Sequence, residues 1–365
     1  MNTTSDPYKP YNDLPRLPPP VEIETKAVLR KTTSCGRALA ELKGIGRVIP
    51  NQALLIDSLI LQEARASSEI ENIVTTSDAV YKAFSAQTSQ IDHATKEVLR
   101  YREALWYGFN ELQRQQVLST NLFVKCVQII RENKAGIRKT PGTRIVNQTT
   151  GDVIYTPPEG EQRIRELLHD LEQFIHSEDG IDPLIKVALI HYQFEAIHPF
   201  SDGNGRTGRI INLLYLSLND LLDYPVLYLS KYIIENRAEY YRLLRGVTIN
   251  QSWEPWILYM LAGIEQTANY TRDKILAIKD LMDATTEKAR NQLPGNVFSK
   301  ELIELLFERP YTKIQYLTDK GIAKRETASK YLKVLETIHI LKSQRVGKET
   351  LFLNTGLYNL LSRSN

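Results

Sequence analysis

The sequence predicts a mainly α-helical protein with one short β-hairpin near its middle and a winged helix-turn-helix at its C-terminal end. Three observations predict it. Apolar residues recur at helical intervals through most of the chain. One stretch before residue 290 is rich in β-branched and aromatic residues, and the last seventy residues run helix, helix, helix, ribbon. At 365 residues, 42% hydrophobic and 24% charged, the chain can bury sizeable cores and suggests two or three domains.

Six of the sixteen prolines lie in the first twenty residues, so the arm "MNTTSDPYKPYNDLPRLPPP" is expected to be extended and free to pack across another surface. Helical patterning runs from about 26 to 110. "CGRALAELKGIG" spaces Ala38, Leu39 and Leu42 at helical intervals, and "NQALLIDSLILQEARASSEIENI" carries a longer stripe with Asn51 as its expected cap. Residues 1–110 thus form an N-terminal arm and helical region. In "KTPGTRIVNQTTGDVIYTPP" the texture changes, and strands flanking "TTGD" give a hairpin at about 143–157. Helices resume with "EQRIRELLHDLEQFIH". Asp182-Pro183 then opens "PLIKVALIHYQFEAIH", apolar around most of its circumference and so a central buried helix. "RTGRIINLLYLSLNDLL" is a second buried helix, and further helices are expected at 235–244 and 253–283. Residues 111–284 therefore read as a core, 285–296 ("TEKARNQLPGN") as a linker, and 297–365 as the C-terminal domain, whose ribbon turns near Gly347.

With 46 basic and 43 acidic residues the chain is close to balance, so a preference for an acidic ligand must come from local patches. Residues 297–365 hold such a patch, with twelve Lys/Arg against seven Asp/Glu. Its third helix carries Lys324, Arg325, Lys330 and Lys333, and the ribbon adds Lys342, Arg345 and Lys348. The pattern suits phosphate-backbone contact with DNA, and equally a solvated face or a protein-docking module. Base readout would depend on whether Glu326, Thr327 and Ser329 face a groove. Cys35 and Cys126 form no disulfide framework or metal spacing, and no apolar run is long enough for a membrane span. A cytoplasmic protein without a membrane role is expected.

The densest chemistry lies in "IHPFSDGNGRTGR", residues 197–209. "GNGRTG" formally matches the dinucleotide-binding G-x-G-x-x-G, but that motif must follow a strand and here a helix precedes it. Taken together, the residues suit another task. Gly203 and Gly205 let backbone N–H groups approach a ligand, and the next helix points its positive end into the same space. Arg206 and Arg209, three apart, can clamp phosphate oxygens. Asp202 can hold a Mg²⁺ that bridges two phosphates, and His198 has an unperturbed pKa near neutrality. Singly, each residue has a structural explanation. Within twelve positions they describe a site that activates a hydroxyl to attack a nucleotide phosphorus.

"HPFSDGNGRTGR" resembles the signature of the Fic family, H-P-F-x-[D/E]-G-N-G-R-x-x-R, at every fixed position, and the resemblance spans most of residues 25 to 265. It implies a Fic-type helical core and transfer of AMP from ATP, with Mg²⁺, to a Tyr, Thr or Ser hydroxyl of a target protein, the chain itself included. The resemblance makes His198 the base and Asp202 the Mg²⁺ ligand. Asn204 and the Gly203–Gly205 backbone would hold the α- and β-phosphates, and Arg206 and Arg209 the β- and γ-phosphates. It implies that the hairpin is a flap docking the target segment through Arg144, Ile145, Val146 and Asn147. "EYYRLL" is similar to the family's YY element, which makes Tyr240 a nucleotide contact. A homodimer through the N-terminal helices is compatible with the family, although no motif marks it.

"SSEIEN" also resembles the family's inhibitory motif [S/T]-x-x-x-E-[G/N], matched by Ser67, Glu71 and Asn72. A carboxylate four residues from a helical serine can project toward Arg209, and an arginine so paired cannot take the γ-phosphate. Two rivals keep the same site: removal of AMP from a modified protein with Glu71 placing a water, or transfer from another donor (UMP, phosphate, phosphocholine). A rival of another class is a DNA-binding regulator whose core only senses nucleotide.

Overall fold

The computed structural model describes residues 6–46, 53–86, 91–146, 150–295 and 297–362. The expected cap Asn51 and the flap residue Asn147 lie outside them. The arm is extended, as its prolines require, and it is packed. Leu14 is buried, Tyr11 N–H donates to Thr156 O at 3.0 Å, and Gln193 Nε2 donates to Pro15 O at 2.8 Å.

Five helices follow: α1 (Lys26–Gly46), α2 (Ala53–Ile70), α3 (Ser77–Ser85), α4 (His93–Gln115) and α5 (Thr120–Arg131). Thr76, Asp92 and Ser119 cap the last three by accepting backbone N–H bonds. The hairpin pairs β1 (Ile145–Val146) with β2 (Val153–Tyr155), Ile145 opposite Tyr155, and a bulge interrupts the register. Next come α6 (Glu161–Ile175), α7 (Pro183–Ile197) and α8 (Asn204–Leu218). Asp182 caps α7 at 2.8 Å with proline at its first turn, and α7 is buried on every side, His191 included. This central helix packs against α6, α8 and α1.

Two readings change here. The helix expected at 235–244 is α10 (Arg237–Asn250), which starts after Asn236 at φ −122°, ψ 34° and follows an unexpected short helix, α9 (Leu229–Glu235). The stretch read as a linker continues α11 (Trp253–Gln292), a forty-residue helix. Glu287, Lys288, Arg290 and Gln292 of "TEKARNQ" are good helix formers, and buried Ala289 ties that end down. α11 packs on α1, α7, α9 and α10, and then on the C-terminal unit.

That unit runs α12 (Lys300–Glu308), β3 (Tyr311–Thr312), α13 (Ile314–Asp319), α14 (Arg325–Thr337), β4 (Leu341–Val346), β5 (Glu349–Asn354) and α15 (Thr355–Ser362). Three helices and a ribbon turning at Gly347 (φ 59°) appear in the expected order, with β3 added to give an antiparallel sheet β3-β5-β4. The unit backs onto α2 and α3. Ser58 Oγ donates to Glu308 O at 3.4 Å, Gln62 Nε2 to Leu361 O, Tyr311 OH to Asp78 at 2.6 Å, and Tyr316 OH to Ser85 O at 2.7 Å. α2 is also pinned from inside by buried Glu63, which accepts bonds from Ser230 N–H (3.1 Å) and Tyr101 OH (3.3 Å).

Candidate active site

The loop between α7 and α8 is held by its backbone. His198 caps α7 in the left-handed conformation, φ 47° and ψ 58°, with its N–H on Phe194 O at 3.0 Å. The carbonyls at a helix end need outside partners, and buried Arg138 supplies them. Its Nε donates to His198 O at 2.8 Å, its Nη2 to Ile197 O at 3.4 Å and to Pro158 O beyond the hairpin. The His198 ring offers an Nδ1 with no hydrogen-bond partner among the described residues. Burial first, and then the Arg138 charge, pulls its pKa down to about 4, against opposite pulls from Glu71 and Asp202. The imidazole is thus neutral at pH 7, the form that accepts a proton.

Gly203 provides the left-handed entry to α8 at φ 84°, and a Cβ there would come within 3.0 Å of Val127. The Asn204 side chain closes the loop. Its Oδ1 accepts from Phe200 N–H and its Nδ2 donates to Phe200 O, both at 2.8 Å. The side chain is spent on closing the loop, which leaves the backbone N–H as its group for a ligand. Asp202, half-exposed, pairs with Arg131 at 2.7 Å.

The two arginines part company. Arg206 turns to α4, where its Nη1 meets buried Glu97, and its Nη2 lies 3.8 Å from Asp202. Arg209 turns to α2. Its Nε donates to Ser67 Oγ at 2.7 Å, and its Nη2 to Ser67 O and to Glu71 Oε1, both at 2.8 Å. Burial raises the Glu71 pKa, but the charge and hydrogen bond of Arg209 outweigh it and hold the carboxyl below its ordinary value. A Cβ on Gly205 would come within 2.3 Å of Glu71 Oε1, so this glycine makes room for the pair. Asn72 ends the turn after α2 in the left-handed region, φ 61°.

Tyr240 lies in an aromatic cluster. It is buried, with its hydroxyl 2.9 Å from His191 Nε2 and its ring against Trp256. The outward member of the pair is Tyr241, 44% exposed, with Arg237 over its ring. On the hairpin, Arg144 and Val146 are exposed and Ile145 half-buried, while Tyr155 OH anchors β2 to Ala196 O at 2.8 Å. Arg138, Glu97 and Arg131 were not singled out by sequence. Each acts on a residue far along the chain, 109 positions for Glu97 and Arg206, and no local period signals that. Glu195 was also missed; burial pushes its pKa up to about 7, and its Oε1 has no partner among the described residues. Both cysteines are buried free thiols.

Comparison with known proteins gives three matches in sequence order: the Fic/DOC family N-terminal domain over residues 29–110, the Fic/DOC family domain over 112–216, and the C-terminal domain of SoFic-like protein adenylyltransferases over 281–357. Curated relatives include protein adenylyltransferase fic-1 of Caenorhabditis elegans, 32% identical over 106 residues, 28% of this chain and 19% of that one. Protein adenylyltransferase Fic of Drosophila mojavensis is 28% identical over 148 residues, 39% of this chain and 27% of that one. The chain thus spans a fifth to a quarter of the length of these relatives. Among solved structures, a Fic family protein from Desulfovibrio desulfuricans superposes with a TM-score of 0.59 at 18% identity, covering 92% of this chain and 98% of that one. That likeness is one of fold. Since the first two matches run through Ser67, Glu71 and the whole His198–Arg209 loop, and the fold agrees nearly end to end, this chain belongs to the Fic/DOC family.

Proposed function

We propose that the protein transfers AMP from ATP to a Tyr, Thr or Ser hydroxyl of a protein, its own chain included, and that Glu71 restrains the transfer. The observation that carries this reading is the capture of buried Arg209 by Ser67 and Glu71 beside a neutral His198. The relatives named protein adenylyltransferases support the same chemistry.

The triphosphate lies against the first amides of α8, where the helix dipole favours anions. Arg209, once released by Glu71, binds the terminal phosphate, while Arg206 stays with Glu97 and contributes its charge from below. The exposed edge of the hairpin holds the target backbone as an added strand. His198 takes the proton of the hydroxyl, the oxygen bonds to the α-phosphorus, and pyrophosphate leaves. Asp202 suits Mg²⁺, which takes one or two carboxylates and completes its shell with phosphates and water. The Asp202 Oδ2 now pairs with Arg131 at 2.7 Å, and its Oδ1 accepts from Gly203 N–H at 2.6 Å with Arg206 Nη2 at 3.8 Å. When bound, the ion would neutralise phosphate charge.

ATP labelled at the α-phosphate tests the proposal. Wild type should label itself faintly, Glu71→Gly about ten- to a hundredfold more, and His198→Ala not at all. Equal labelling by folded Glu71→Gly and wild type would remove the brake, and labelling by His198→Ala would remove the base. Glu71 raises the pKa of His198, so its loss lowers that pKa further. Transfer by Glu71→Gly should therefore keep its rate down to about pH 5, with its acidic limb at or below the value of about 4.

A further inference from the structure

We propose that the face of the C-terminal unit formed by α14 and the β4–β5 turn docks duplex nucleic acid through its phosphates. Among the described residues of the unit, ion pairs fall on its other surfaces, and that face holds none. Elsewhere in the same unit Lys300 pairs with Glu304, Lys313 with Glu349 and Lys320 with Glu308. Lys324, Arg325, Lys330, Lys333, Lys342, Arg345 and Lys348 are all exposed, and none has a carboxylate within 4.0 Å among the described residues.

Their placement follows from how α14 is buried. Ala328, Leu332 and Leu335 face the core at helical spacing, which sends Lys330 and Lys333 to the opposite side. Lys324 and Arg325 open the helix, where its dipole adds positive potential. β4 is the edge strand and packs beside α14; Glu336 of the helix accepts from Ser343 N–H at 2.7 Å. Its Lys342 and Arg345, three apart on a regular strand, stand on opposite sides of the ribbon, and with Lys348 in the turn they charge both flanks of the wing past the helix. A thirteen-residue helix about 20 Å long fits a major groove about 12 Å wide, and the ribbon then reaches the flanking phosphates. The face is free to do so, because the unit meets the rest of the protein through α12, β3, α13 and α15, on α2, α3 and α11.

The inference does not rest on AMP transfer, and its test reads binding alone. Full-length protein is titrated into a fluorescent duplex of about 20 base pairs, with anisotropy followed from 50 to 200 mM salt. Neutralising four to seven phosphates predicts a loss of affinity of about 10²- to 10⁴-fold across that range. The double variant K330E/K333E, altered at two exposed positions, should bind at least about tenfold more weakly at 100 mM and show a salt slope smaller by about two. Lys279→Gln, on the far unit and paired with Asp283, should bind as wild type. Absence of binding at 50 mM, unchanged binding by the double variant, or poly-glutamate competing as well as duplex at equal charge would each overturn the proposal. The last result would assign the face to an acidic protein.

Discussion

Arg206 and Arg209 lie one turn apart on α8, and their surroundings differ in one respect that decides their use. Arg206 is sealed: its side chain is 1% exposed, and that of its acid, Glu97, only 5%. Arg209 is equally deep at 3%, but its acid, Glu71, leaves 37% of its side chain in water. A buried pair has no low-energy way to separate, since opening it strands a charge in a poor solvent. Separating the second pair returns its carboxylate to water, and Arg209 keeps its two bonds to Ser67, so the cost is smaller. Two arginines written alike in sequence thus become a permanent fastening and a releasable one.

The largest expected effect breaks that contrast on the sealed side. Glu97→Gln should destabilise the fold by about 3–5 kcal/mol in denaturant titration, while Glu71→Gln should cost about 1 kcal/mol or less. Similar losses for the two would erase the distinction. Arg138 supplies the next test, as a third buried arginine whose partners are carbonyls and not an acid. Arg138→Met, in the Glu71→Gly background, should lower kcat about a hundredfold by loosening the His198 backbone, with the KM for ATP nearly unchanged. It also removes a charge that lowers the His198 pKa, so the acidic limb should move upward, a shift that mere structural damage would not give. The smallest effect sharpens the releasable side. Ser67→Ala deletes one of three bonds to Arg209 and, at about 1 kcal/mol per hydrogen bond, should raise basal transfer about fivefold, well short of Glu71→Gly.

Much of this was legible in the sequence because it is locally written. The period of α7 and α8, the Asp182-Pro183 start, the lone hairpin and the Ser67–Glu71 spacing each occupy a short window, and the structure places Glu71 on Arg209 as that spacing predicts. What escaped depends on which neighbour a side chain meets in space. Nothing near Arg206 names Glu97, and nothing in "AGIRKTPG" announces that Arg138 will hold the carbonyls of residues 197 and 198. Asn204 and Tyr240 carry the right identities for ligand contact, yet the loop and the aromatic cluster claim their polar atoms first. The expected linker misled through composition: its polar residues mark an exposed surface, and an exposed surface can belong to a helix as well as to a loop.

That uninterrupted α11 has a mechanical consequence. Forty residues make a rod of about 60 Å, rooted among the central helices at one end and carrying α12 and α15 at the other. A rod transmits torque where a tether would dissipate it. Whatever grips the C-terminal unit therefore acts as a hand on a lever.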